Sequence, residues 1–412
     1  MNRTLVERYL AGVASPVCAY LYDLDHLRTR TAGLVELLPR NCELFYAIKA
    51  NSDAEVLRSL DGIVAGYEVA SLGEVTRARE VGPHARIVFG GPGKTDSELE
   101  GGLARGVELF HVESQLQLLR LNAVAAQMGR SARVLLRVNP NALTVDPDSK
   151  RPTGTLTMGG QPTQFGIEEN ELPRVIAIAN TLAAVEVVGL HIHALSNNLD
   201  AQSHLALMAH YMTLARRLQR ECGLRLETLN VGGGIGVNYV DPDSGFDWSA
   251  FCAGLGALLT DFDKGCRIVF ECGRFIAADC GYYVTEVVDL KSNHGKNFAI
   301  LRGGTHHFRL PSSWQHNHPF SIVPNETWPY AFGRPSLERA AVTLCGELCT
   351  PKDVLAREVE VGRLRVGDRI VFRLAGAYGW HISHHDFLSH PHPERRFFDV
   401  VRNADARAGT LT

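Results

Sequence analysis

LFYAIKAN, residues 44–51, is an apolar run that closes on a lysine. Leu44 to Ile48 have the bulk and shape of a buried strand. Lys49 then falls where the chain should still be inside, and a lysine is almost never buried unless it is paired or used. Seven more runs of this kind follow: VAGYEV (64–69), RIVFG (86–90), VELFHV (107–112), RVLLRV (133–138), VVGLHI (187–192), ETLNV (227–231) and RIVFE (267–271). Helix-like stretches such as SQLQLLRLNAVAAQMGR lie between most of them. Runs of Val, Ile and Leu separated by helices predict parallel strands covered on both faces. Eight such units in roughly 230 residues predict an α/β fold, a (β/α)8 TIM barrel, with a doubly wound open sheet as the competitor.

Past Arg274 the rhythm changes to strand-like segments, and VGRLRVGDRIVF (361–372) alternates around turn glycines as an antiparallel pair does. The expected division is therefore a barrel over 25–275 and a β domain, an antiparallel sandwich or barrel, over 276–412. The early strand PVCAYLYDL (16–24) is a candidate to join the second domain, which would then include 1–24. Residues 140–166 are rich in Pro, Gly and Thr and too long for an ordinary connection, so a lid or interface loop is expected there.

Composition narrows the function. The 412 residues include 42 basic and 45 acidic ones, a net charge of −3, which gives no surface for nucleic acid. No stretch is apolar enough to span a membrane, and MNRTLVERYLAGVASP has no continuous apolar segment of a signal peptide. Nine cysteines without CxxC pairs suit reduced thiols in a cytoplasmic protein.

TIM barrels place their chemistry at the C-terminal strand ends. Here those ends carry Lys49, Glu68, Gly90 and Gly91, His111, Arg137, His193, Gly232-Gly233-Gly234, and Glu271 followed by Gly273 and Arg274. Loops after the seventh and eighth strands often hold phosphate, and NVGGGIG and ECGRF offer glycine backbone and an arginine for it. Two tight turns are the plainer use of those glycines. A phosphate site with a strand-end lysine and a strand-end carboxylate points to pyridoxal phosphate. Lys49 would form the Schiff base, its amine made nucleophilic by burial. Glu271 would keep the pyridine nitrogen protonated and His193 would stack on the ring. An isolated strand-end lysine, by contrast, simply snorkels.

These residues resemble a known family, the fold-type III pyridoxal-phosphate decarboxylases that act on diaminopimelate, ornithine and arginine, with an alanine racemase-like barrel. The likeness runs over essentially the whole chain. YAIKAN resembles the lysine motif, GYEVASLGEV the second-strand motif with Glu68 in place of aspartate, and ECGRF the E-P-G-R motif with Cys272 in place of proline. LHIHALS implies His193 as the stacking residue and Ser196 as a phosphate ligand; NVGGG implies the phosphate loop, and LLRVNP implies Arg137 near the cofactor. GELCTPKDVLA implies that Cys349, entering the neighbouring subunit's site, protonates the carbanion left by carbon dioxide. AGAYGW implies that Tyr378 reaches the phosphate, and FRLPSSW implies Arg309 as a substrate-carboxylate arginine. Sites shared in this way imply a homodimer.

Two departures bear on the substrate. Thr350 stands where an acidic residue usually follows the motif cysteine, which speaks against a simple diamine product. The tail SHHDFLSHPHP, with THHF and WQHNHP, gathers histidines, His384 among them. It resembles the subgroup of carboxylate siderophore pathways of the staphyloferrin B type, implying a citryl-diaminopropionate substrate. The histidines also suit packing at a dimer interface; their spacing lacks a metal set, and no metal is expected. Diaminopimelate decarboxylation is the alternative activity. A racemase would put an arginine against the pyridine nitrogen, and an inactive regulatory homologue would lack the lysine, glycines or cysteine.

Overall fold

The computed structural model describes residues 2–141 and 156–399. Residues 142–155, the larger part of the segment expected as a lid or interface loop, lie outside the described residues. The chain divides into two compact units: Arg28–Val237 with Gly245–Ile276, and the chain through Leu27 with Asn238–Ser244 and Ala277 onward.

The first unit is built on eight strands: β1 (Cys42–Ala47), β2 (Gly66–Val69), β3 (Ile87–Phe89), β4 (Leu109–Val112), β5 (Ala132–Asn139), β6 (Val185–His191), β7 (Thr228–Asn230) and β8 (Arg267–Cys272). Each pairs in parallel with its sequence neighbours, and β8 pairs with β1, so the sheet closes. The expected TIM barrel is therefore present. Its strands are buried on both faces, as continuous apolar runs require. Phe45, Val88, Leu109, Leu135, Val188 and Val269 pack together in its core.

Helices return the chain between strands, and their starts are written in the sequence. Ser71, Ser114, Asp200 and Asp247 each accept a backbone N–H of the first turn. Thr95 and Glu98 form a reciprocal capping box. The long helix Ala201–Cys222 stops at Gly223, whose φ of +64° suits glycine.

The second unit holds strands Cys18–Asp23, Gly281–Asn293, Lys296–Leu301, Phe320–Val323, Ser336–Cys345, Val354–Arg365, Arg369–Phe372 and Glu394–Phe398. The early strand Cys18–Asp23 pairs antiparallel with Gly281–Asn293. Most pairings here are antiparallel, but Lys296–Leu301 runs parallel to Ser336–Cys345, and Cys18–Asp23 parallel to Glu394–Phe398. The sheet is thus mixed. Val6, Val17, Leu21, Tyr282, Val284 and Val371 belong to its core cluster.

One backbone approach in the barrel is unusually close. At Gly189 in β6, φ is +155°, and a Cβ there would lie 1.8 Å from the Thr228 carbonyl oxygen of β7. Gly189→Ala should therefore destabilise the barrel by on the order of 3 kcal/mol or more, read as a fall in the urea midpoint. An unchanged midpoint would contradict the register described.

Candidate active site

Barrel closure brings the strand ends together. β1 ends at Ala47, and a single 3-10 turn, Ile48–Ala50, carries Lys49 out of it. Ile48 and Ala50 are buried, but the Lys49 side chain is 48% exposed. The expectation of a lysine activated by burial meets a different arrangement: the strand ends before Lys49, and the turn leaves its side chain half exposed with its amine directed at a buried carboxylate. What holds it instead is Glu68 on β2, whose Oε2 accepts from Lys49 Nζ at 2.9 Å. Glu68 is buried, and burial raises its pKa, with the Lys49 charge opposing the rise.

Glu271 on β8 faces a different environment. It is buried, and its Oε1 accepts from Asn230 Nδ2 at 2.6 Å. Its other close polar neighbours are His111 and His191, at 3.6 and 3.4 Å. Burial first, and neighbouring charge second, hold both imidazoles well below the ordinary histidine pKa, so both are neutral. Among the described residues no lysine or arginine pairs with Glu271. A buried carboxylate without a cation is costly, and a protonated ring nitrogen would supply one.

His111, His191 and Glu271 bring three ligand-type atoms within 4.8 Å of one another, a grouping the sequence spacing did not reveal. The two imidazoles stack with centroids 4.0 Å apart and planes inclined by 23°. Such stacking sets the two imidazoles face to face beside one carboxylate.

His193 follows β6, and its Nδ1 accepts from the Gly233 N–H at 3.1 Å. Burial keeps this ring neutral as well. The Gly232-Gly233-Gly234 loop has no room for side chains. A Cβ on Gly232 would meet His193 Nδ1 at 2.3 Å, one on Gly233 the Glu271 carbonyl oxygen at 2.3 Å, and one on Gly234 the Leu195 carbonyl oxygen at 2.7 Å. With φ of +67° and +81° at Gly232 and Gly234, this is a bare-backbone cradle of the kind that takes phosphate. Ser196, half-buried, is the next residue after Leu195. Gly273 packs against the Lys49 turn, 2.9 Å from Ala50 Cβ by the same measure, and opens the buried Arg274 turn. Cys272, in the place of proline, is buried, and its thiol is pushed up to about 12 by desolvation, which leaves it inert.

Arg137 on β5 is committed to Glu113, Nη1 to Oε1 at 2.9 Å, and stacks over Phe165. Glu113, Asn230 and Lys94 were not singled out from sequence. Lys94 is buried in the loop after β3, donates to the Gly91 carbonyl at 2.6 Å, and burial pulls it down to about 8. The signal for it was the GGPGK turn at a strand end, read only as glycines.

The remaining expected residues lie in the second unit. Cys349 is exposed on a loop braced from both sides. Glu347 bonds to Arg302, and its N–H donates to the Gly303 carbonyl at 2.8 Å. Asp353 accepts from the N–H groups of Thr305 and Leu348 at 2.6 and 2.9 Å. Thr350 Oγ1 accepts from the Lys352 N–H. Tyr378 sits at φ +53°. Arg309 is exposed, and its N–H donates to Ser383 Oγ at 3.0 Å. The exposed His384 is shifted down by desolvation and then by the Arg309 charge.

This fold and site belong to a recognised class. Residues 24–278 match the family model described as "Pyridoxal-dependent decarboxylase, pyridoxal binding domain", and the chain belongs to that family. It is an enzyme whose cofactor is pyridoxal phosphate, and the buried carboxylate and glycine cradle fit that group. The chain is 47% identical over 390 residues, 94% of its length and 96% of the relative's, to the 2-[(L-alanin-3-ylcarbamoyl)methyl]-2-hydroxybutanedioate decarboxylase of Staphylococcus aureus. It is 30% identical over 369 residues, 89% of this chain and 83% of the relative, to a diaminopimelate decarboxylase of Aquifex aeolicus. The crystal structure of diaminopimelate decarboxylase from Helicobacter pylori complexed with L-lysine superposes with a TM-score of 0.82. That match has 27% identity and covers 96% of this chain and 94% of the other.

The neutral histidines set an acid limit on stability. His204, buried behind the glycine cradle, is held down to about 4 by desolvation. The unfolded chain takes up its proton near pH 6.5, before the folded chain does, so stability falls as pH drops from 6.5 toward 4. Thermal unfolding midpoints should be level with respect to this group above pH 6.5 and decline below it, and His204→Gln should flatten part of that decline. A midpoint that rises on acidification would contradict this.

Proposed function

We propose that the protein releases carbon dioxide from the carboxylate α to the free amine of a citryl-diaminopropionate conjugate, in a carboxylate siderophore pathway of the staphyloferrin B type. The observation that carries this reading is the near full-length likeness to the Staphylococcus aureus decarboxylase, whose name describes such a conjugate. The second unit supports it. Thr350 beside Cys349 puts a hydroxyl, not a carboxylate, where a citrate-derived anion would approach. Arg309, with no ion pair among the described residues, and His384 offer donors for carboxylates.

Pyridoxal phosphate, when bound, supplies the electron sink for the pair left behind by carbon dioxide. The chain's own groups do the rest. Lys49 would hold the cofactor at the rim, with Glu68 to pair with the Lys49 ammonium. Glu271 would partner the ring nitrogen, neutral His193 would serve as the stacking residue, and Gly232, Gly233, Gly234, Ser196, Gly273 and Arg274 would hold the phosphate. Arg137, fixed by Glu113, keeps positive charge near the ring. Cys349 Sγ donates the proton that replaces the lost carboxylate. Its exposure on a braced loop supports a homodimer in which Cys349 and Tyr378 complete the neighbouring site. Cytoplasmic location is consistent with nine free cysteines, and among the described residues no helix is long and apolar enough to cross a membrane.

Glu271 in place of an arginine supports decarboxylation over racemisation. Carbon dioxide release from citryl-diaminopropionate should exceed that from diaminopimelate or lysine by roughly a hundredfold in kcat/KM. Release from diaminopimelate alone would instead assign the enzyme to lysine biosynthesis. Cys349→Ala should lower kcat by about 10²–10⁴ while the bound cofactor's absorption is retained. Undiminished turnover would remove Cys349 from the acid role.

A further inference from the structure

Asn230 ends β7 two residues before Gly232 of the glycine cradle, and its amide is held at both ends. Oδ1 accepts from the Gly232 N–H at 2.9 Å, which fixes the amide's orientation and turns Nδ2 toward Glu271 Oε1 at 2.6 Å. The second Nδ2 hydrogen faces His111 Nε2 at 3.3 Å. His111 in turn stacks on His191. His191 is buried, has no hydrogen-bond partner on either ring nitrogen among the described residues, and places Nε2 3.4 Å from Glu271 Oε2. The Glu271 N–H also donates to the Gly232 carbonyl at 2.8 Å. The loop that suits phosphate and the carboxylate that suits the ring nitrogen are thus tied through one side chain.

We infer that Asn230, braced by His111, is a positioning residue that keeps the shared proton on the cofactor's ring nitrogen instead of on Glu271. The inference rests on the proposed pairing of Glu271 with that nitrogen. A carboxylate is the better proton acceptor when its oxygens lack other donors, so the Asn230 amide on Glu271 Oε1 favours leaving the proton with the ring. A cation in its place would compete with the ring for the carboxylate. A neutral amide does not, and burial keeps the imidazoles beside it uncharged. With a donor removed, the proton moves from nitrogen to Glu271 and the ring loses its charge while the site as a whole gains or loses no proton.

The test uses holoenzyme loaded with ring-¹⁵N-labelled pyridoxal phosphate and reads the nitrogen resonance, without substrate. In the parent it should lie in the pyridinium range. Asn230→Ala should move it toward neutral pyridine, with kcat lower by about tenfold to a hundredfold. Glu271→Gln is the control and should give the largest shift. A shift in Glu271→Gln with none in Asn230→Ala would overturn this inference and leave the pairing standing. No shift in Glu271→Gln would overturn the pairing on which it rests.

Discussion

The pairing of β8 with β1 is the constraint on which the site depends. Its register sets Glu271 beside Phe45 and Cys272 beside Tyr46. The next residue of β8's loop, Gly273, then packs against Ala47 and Ala50 on either side of Lys49. Two residues far apart in the chain, Lys49 and Glu271, are brought to neighbouring strand ends by that one seam. Everything reactive in the barrel is arranged around it, because β7 and its glycine cradle lie on the other side of β8.

Electrostatics separates the two carboxylates at this rim. Glu68 is matched by a lysine, whereas Glu271 is surrounded by an amide and two neutral imidazoles. One carboxylate is therefore paired with the ammonium of Lys49, and the other has no lysine or arginine partner among the described residues. Similar side chains take different roles because their neighbours differ in charge. The glycines serve the same division by their bareness: Asn230 and His193 hold the N–H groups of Gly232 and Gly233, and the lack of side chains leaves the loop open to close approach.

The barrel was legible because its strands are apolar runs and most connecting helices begin with a capping Ser, Thr or Asp, signals that are local in the chain. Lys49 and Glu271 were legible for the same reason, as polar residues closing apolar runs. The exposure of Lys49 was not, because it depends on a strand ending one residue early. Asn230, Glu113 and Lys94 were passed over because their significance lies in cross-barrel partners, which no local pattern records. The parallel pairing of Cys18–Asp23 with Glu394–Phe398 joins the two ends of the chain and leaves no trace in alternation.

The account turns on Lys49 as the residue that holds the cofactor, and the structure offers a real competitor in Lys94, which is buried and drawn down to about 8. Borohydride reduction of the cofactor-loaded protein, followed by peptide mass mapping, distinguishes them. The account predicts the cofactor's mass on the peptide containing Lys49 and unmodified Lys94. Cofactor fixed to Lys94, or to any lysine outside the 48–50 turn, would contradict it.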